Sequence, residues 1–201
     1  MIDWKEVLKD VVPRPCYDRP FVCDGCPDAS CTIIIGENPA TKMRKDWWDY
    51  WDTDTCFNLK KFLADYVRER VEAGKRPMSN TRLRLGRFRE NGVCGVETNV
   101  YRNEQSGGAG KGVWNYAVLD KLIQNMPRLC AIVAHGTVAH EFIDGYKRDI
   151  KGVKIFRTRH FRMESYDVID GICGEIRAMC KYARAIPPCC PGRECSHLDL
   201  L

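Results

Sequence analysis

The chain contains no apolar run long enough to span a bilayer. Its first residues, Met1-Ile2-Asp3-Trp4-Lys5-Glu6, lack the basic-then-apolar pattern of a secretory leader. A cytoplasmic protein without a membrane partner is the expectation. No stretch repeats another and no shift in composition marks a second domain, so residues 1–201 read as a single domain. Hydrophobic residues make up 44% and charged residues 29%, which excludes a disordered chain and allows one ordinary core. A large net charge is missing as well, the formal balance being +5. A phosphate-binding loop is also lacking. The run Gly107-Gly108-Ala109-Gly110-Lys111-Gly112 has Gln105 where the motif needs its first glycine, and Gly112 where it needs Ser or Thr. A nucleotide hydrolase built on that loop is therefore disfavoured.

What the chain does have is concentrated. Residues 68–89 carry +6, and residues 147–162 carry +6 again. Two such stretches on a nearly balanced chain fit a phosphate-binding face; the alternative is a solvated helix surface. Twelve cysteines are many for 201 residues. Four lie in a Pro- and Cys-rich segment at 12–31 and three in a Cys-rich tail at 187–201. In a reducing compartment such clustering favours metal over disulfides. Cys16, Cys23, Cys26 and Cys31 have knuckle-like spacing, with Cys23-Asp24-Gly25-Cys26 its strongest part. Four thiolates make a closed structural zinc site. Free thiols are the other reading, and Cys189, Cys190, Cys195 and His197 are alternative ligands.

Periodicity predicts alternating elements. Helices are expected at 3–11, 57–73, 81–90, 115–125, from Thr137, and at 165–184. Strands are expected at 32–35, 95–100, 131–134 and 153–156. Strands alternating with helices imply a parallel sheet covered on both faces. The fold class is thus α/β, a three-layer α/β/α sandwich with a central, mainly parallel four-stranded sheet.

In such a sheet, ligands bind beyond the carboxyl ends of the strands. Three strands end there in polar residues. Thr32-Ile33-Ile34-Ile35 runs into Gly36-Glu37-Asn38-Pro39-Ala40, the second strand ends at Asn99, and His160 follows the fourth. One such residue is usually a turn or cap; three on one edge point to a site. Trp47, Trp48, Tyr50 and Trp51 form an aromatic loop after the first strand. They either line the pocket and stack on a base, with Trp48 and Trp51 as base contacts, or pack as a lid on the sheet.

Gly36-Glu37-Asn38-Pro39-Ala40, then Glu97-Thr98-Asn99-Val100, then Arg159-His160 after a fourth strand, together resemble the uracil-DNA glycosylase superfamily. The pattern can be laid along residues 30–170. Glu37 stands where the thermostable branch has Glu. Asn38 stands where the mismatch-specific and single-strand-selective branches have Asn. Phe161 replaces the Pro usual after the His, which puts the DNA-inserting loop in question. The thermostable branch carries an iron–sulfur cluster, but Tyr101-Arg102-Asn103-Glu104 supplies no Cys after Asn99, where its other cysteines would fall. Zinc is favoured over that cluster.

The resemblance implies a monofunctional DNA glycosylase. It would hydrolyse the N-glycosidic bond of uracil or a modified pyrimidine flipped out of DNA, leaving an abasic site. The role would be base-excision repair or antiviral defence against modified phage DNA. Asn38 or Glu37 positions a water, and a carboxylate there also stabilises the sugar cation. Asn99 offers a donor and an acceptor to the polar edge of a pyrimidine, with Gly36 and Pro39 completing the base pocket. His160 donates to the base oxygen as negative charge builds. Such chemistry needs no cofactor. DNA, the partner of a monomeric enzyme, would be held by Arg82, Arg84, Arg159 and Arg162. Arg162 and Met163 are the candidates to fill the gap left by the flipped base, and Met163 is otherwise an ordinary core residue. A catalytically silent DNA- or nucleotide-binding module with the same fold is the alternative.

Overall fold

A computed structural model describes residues 2–52, 56–103, 113–146, 150 and 152–182. The glycine-rich run at 106–112 and the tail cysteines 189, 190 and 195 with His197 lie outside these residues. Seven strands are described: β1 (Phe21–Val22), β2 (Thr32–Gly36), β3 (Trp51–Asp52), β4 (Cys56–Phe57), β5 (Gly95–Asn99), β6 (Ala131–His135) and β7 (Lys154–Thr158). The helices are α1 (Trp4–Leu8), α2 (Leu59–Glu72), α3 (Asn80–Glu90), α4 (Tyr116–Asn125), α5 (Thr137–Asp144) and α6 (Tyr166–Tyr182).

The main sheet runs β1-β5-β2-β6-β7. β5, β2, β6 and β7 are parallel, as the alternation of elements requires. β1 adds a fifth strand, antiparallel to β5. It is two residues long and sits directly after Pro20, too short for any periodicity to show it. β3 and β4 form a separate two-stranded ribbon.

All five residues of β2 and of β6 are buried, because layers cover both sheet faces. Successive side chains point to opposite faces. Ile33 and Ile35 join one core with Ile132, Ala134, Leu59, Phe62, Leu119 and Phe142, so α2, α4 and α5 cover that face. Ile34 joins the other with Val133, Leu85, Phe88, Ile169 and Ile176, so α3 and α6 cover the opposite face. This is the α/β/α sandwich.

Trp47, Trp48, Trp51, Phe21 and Phe57 interlock in the first core at centroid spacings of 4.9–6.5 Å. The aromatic loop is therefore interior packing. Trp47 and Trp48 satisfy their indole N–H groups on the Phe21 and Pro13 carbonyls, at 2.7 and 2.8 Å. Large rings contribute most when fully removed from water, which draws them inward.

Candidate active site

The chain leaves β2 toward β5 and leaves β6 toward β7, so the connections diverge between the neighbours β2 and β6. A crevice opens at such a switch point. Gly36 pairs with Asn99 across β2 and β5, and His135 ends β6 on the other side. The amides of Val100 and Tyr101 donate to the Gly36 and Glu37 carbonyls at 2.8 and 2.9 Å, fixing the turn to the end of β5. Asn115 braces that end, its carboxamide N–H donating to the carbonyls of Pro20 and Asn99 and to the Thr98 hydroxyl. Gly36 must be glycine here. A Cβ would stand 2.7 Å from His135 Nε2 and 3.0 Å from Asn99 Oδ1.

One cavity at this edge brings together Asn38, Pro39, Asn99 and His160. The carboxamides of Asn38 and Asn99 make no hydrogen bond to the described residues, so each keeps a donor and an acceptor for a ligand. Glu37 is half-buried beside them. It is not part of the cavity lining, yet its charge acts on His160.

His160 is held in one tautomer. The Arg162 amide donates to its Nδ1 at 3.1 Å, so the neutral ring carries its proton on Nε2. Burial and the Arg162 charge lower its pKa, against an opposing pull from Glu37. At neutral pH, His160 is thus an uncharged Nε2–H donor. Its ring packs 3.5 Å from where a Gly136 Cβ would be, and Gly136 has φ +89°, a conformation that favours glycine.

His135 also lines the cavity. It is buried, stacked on Phe161 at 4.2 Å and edge-on to His160 at 5.1 Å. Its Nδ1 has no partner, and burial, followed by repulsion from His160 and His140, lowers its pKa to about 3. The strand expected at 131–134 stops one residue short of it, so periodicity assigns His135 no role. Its place at a strand end, like that of Asn99, is the signal that would have found it.

Other expected site residues fall elsewhere. Trp48 and Trp51 do not line this cavity; they belong to the aromatic core, with Arg14 lying over Trp48 at 4.1 Å. Arg82 is no outward DNA contact: it is buried, ion-paired with Glu97, and lines the cavity wall. Arg84 donates to the Glu164 carbonyl at 3.2 Å and lies over the Tyr166 ring at 4.5 Å. Arg159 pairs with Glu164 at 3.2 Å. Much of the 68–89 charge is likewise turned inward or paired: Arg70 is buried, Arg68 pairs with Asp65, Arg87 with Asp170 and Arg89 with Glu97. Arg162 has no ion pair among the described residues. Met163 beside it is 63% exposed, so it is not a core residue.

The expected zinc knuckle does not assemble. Cys26 forms a disulfide with Cys56, which also overturns the preference for metal over disulfides at that position. Burial pushes the Cys16 thiol up to about 11, and raises Cys23 as well, so both are protonated. Chain spacing had put these sulfurs together, but Cys31 is carried by β2 to the opposite edge of the sheet from the cavity. There its Sγ lies within 4.8 Å of those of Cys130 and Cys180. Three sulfurs this close could share one metal ion, the Cys130 and Cys180 sulfurs lying 3.2 Å apart. Among the described residues this is the one cluster of three or more metal-ligating side chains.

Comparison of the chain with protein-family models and with curated proteins finds no match to either. No helix among the described residues is long and apolar enough to cross a membrane.

Proposed function

We propose that this chain is a monofunctional DNA glycosylase acting on uracil or a modified pyrimidine flipped out of DNA. The observation that carries the reading is the meeting of Asn38, Asn99 and His160 in one cavity, with His160 held as the Nε2–H tautomer. Breaking the glycosidic bond develops negative charge on the base and positive charge on the sugar. A neutral imidazole that keeps Nε2–H donates to the base oxygen without itself losing its proton. Asn99 reads the polar edge of the base. Asn38, with its carboxamide unengaged, positions the attacking water. Glu37 supplies negative charge nearby, opposing the developing sugar cation. The hydrolysis needs no cofactor.

Met163, exposed beside Arg162, is suited to fill the gap a flipped base leaves. Arg162 is then a phosphate contact, whereas Arg84 and Arg159 act on DNA only by exchanging their present partners. The enzyme is placed in the cytoplasm as a monomer, in base-excision repair or in defence against phage DNA with modified bases. A structural zinc on Cys31, Cys130 and Cys180 accompanies this reading. The three sulfurs supply its first ligands, and the ion would clamp α6 to the sheet.

The test uses oligonucleotides carrying uracil, mismatched thymine or bulky modified cytosines, with alkali to reveal abasic sites. Excision is expected on at least one. Asn38→Ala and His160→Ala should each slow it by about 10²–10³-fold, as removal of one oriented transition-state contact does. No strand scission on any substrate refutes the enzyme, and retained DNA binding in that case supports the silent module.

A further inference from the structure

The same cavity is lined by two arginines that the proposed chemistry leaves unused. Arg19 comes from the segment just before β1, and Arg82 from α3. Both are more than nine-tenths buried, at 8% and 6% exposure. Their guanidinium carbons lie 5.8 and 5.2 Å from the Tyr66 ring centre, and 5.4 and 5.7 Å from that of Phe62. Two cations therefore share one aromatic corner. Arg70, also buried, has its guanidinium carbon 5.6 Å from the same Tyr66 ring centre.

Facing them is one carboxylate, Glu97, paired with Arg82 and shared with Arg89 at 2.7 Å. Among the described residues, no carboxylate lies within ion-pair distance of Arg19 or Arg70. Arg19 donates from one terminal nitrogen to the Thr41 carbonyl, but its Nε is buried without a partner among the described residues, as is the Nε of Arg82. Burial and the nearby Arg82 charge lower the Arg19 pKa to about 10. Adjacent buried cations with unused donors are unfavourable unless an anion completes the set. The guanidinium fork matches the oxygens of a phosphate. Tyr66, Ser79 and Thr81 line the same wall, the Tyr66 hydroxyl donating to Ser79 Oγ at 3.2 Å.

We propose that Arg19 and Arg82 form a phosphate-binding wall for the substrate that enters this cavity. The word substrate rests on the glycosylase reading; the phosphate site itself does not. A phosphate there has two sources, an ester on a substituent of the base or the backbone phosphate next to the flipped nucleotide.

The site is tested first without DNA. Orthophosphate is titrated into the full-length protein, with chloride at matched ionic strength as control, reading heat of binding and melting temperature. Phosphate should bind and raise the melting temperature beyond chloride. Arg19→Lys should weaken binding at least tenfold and Arg19→Gln abolish it, while Lys60→Gln on the exposed face of α2 leaves it unchanged. Should Arg19→Gln fail to fold, Arg19→Lys and the wild-type titration carry the test. No phosphate effect beyond chloride, or an equal effect in Arg19→Lys, overturns the site.

Excision is then compared on oligonucleotides carrying uracil, 5-hydroxymethyluracil, its phosphate ester, or uracil flanked by neutral methylphosphonate linkages. At least tenfold faster excision of the phosphate ester than of 5-hydroxymethyluracil, lost in Arg19→Lys, assigns the phosphate to the base. An Arg19-dependent loss on methylphosphonate alone assigns it to the backbone. Equal rates on all four, with phosphate binding intact, overturn the substrate assignment. Phosphate binding without any excision leaves the site standing and removes the glycosylase reading, whereas excision without Arg19-dependent phosphate binding does the reverse.

Discussion

Acid should destabilise this protein in a pH range where few other groups titrate, and His135 is the reason. Its ring is buried between Phe161 and the edge of His160, with Nδ1 unpartnered, and its pKa is about 3. In the unfolded chain an ordinary histidine titrates near 6.5. Between those values the folded ring stays neutral while the unfolded ring takes up a proton. The unfolded state then binds more protons, so stability falls as pH falls. The full difference corresponds to about 4–5 kcal/mol by pH 3. About 2 kcal/mol of that is lost between pH 7.5 and 5, a large part of a typical ~5–15 kcal/mol stability. His160, whose pKa is also lowered by burial, adds in the same direction.

Carboxylates do not confuse this window. Burial pushes the Glu97 carboxyl up but Arg82 and Arg89 bring it down, and Arg87 holds Asp170 low, so both lose stabilisation only below the unfolded carboxylate range near 4. The assay is urea unfolding at half-unit steps from pH 5 to 7.5, for wild type and His135→Phe. Wild type should lose about 2 kcal/mol or somewhat more, and His135→Phe should lose about 2 kcal/mol less than wild type. A flat wild-type profile, or parallel profiles for the two proteins, would show that His135 is not held neutral by burial.

Three further outcomes follow from particular contacts. Gly36→Ala puts a methyl 2.7 Å from His135 Nε2, so that ring must shift against its Phe161 stack; about 1–3 kcal/mol should be lost in urea unfolding along with excision, and an unchanged midpoint refutes the close approach. Cys26→Ser/Cys56→Ser opens a link between residues 30 apart and should cost about 3–4 kcal/mol under oxidising conditions, with dithiothreitol producing the same drop in wild type alone. Protein purified with thiols kept reduced should release about one zinc per chain to a chromogenic chelator on denaturation, and Cys130→Ala should release far less. A Cys130–Cys180 disulfide in the mass spectrum instead of bound zinc would refute the metal site.

The α/β alternation was legible because β2 and β6 are continuous buried runs, Thr32-Ile33-Ile34-Ile35 and Ala131-Ile132-Val133-Ala134, separated by helices of 3.6-residue period. The placement of Asn38, Asn99 and His160 on one edge followed from parallel strands alone. The aromatic loop was ambiguous because a stacking platform and an interior cluster need the same side chains; only packing against Phe21 and Phe57 put Trp48 and Trp51 inside. The basic stretch at 68–89 was misleading for a related reason. Charge counted along a helix does not say which face meets solvent, and Arg70 and Arg82 turn into the core.

By itself, then, the sequence determined the strand order in time and the polar residue at each strand's end, because these depend on local pattern and on the direction of the chain. Tertiary structure decided everything that depends on which distant segments meet. It paired Cys26 with Cys56 and drew Cys31 to Cys130 and Cys180, breaking a knuckle that chain spacing alone had suggested. It set His135 against Gly36 and His160, and it brought Arg19, from a short segment with no periodicity, to Arg82 across the Tyr66 ring. Adjacency along the chain carries no information about such meetings, since they are fixed by how the layers close over the sheet.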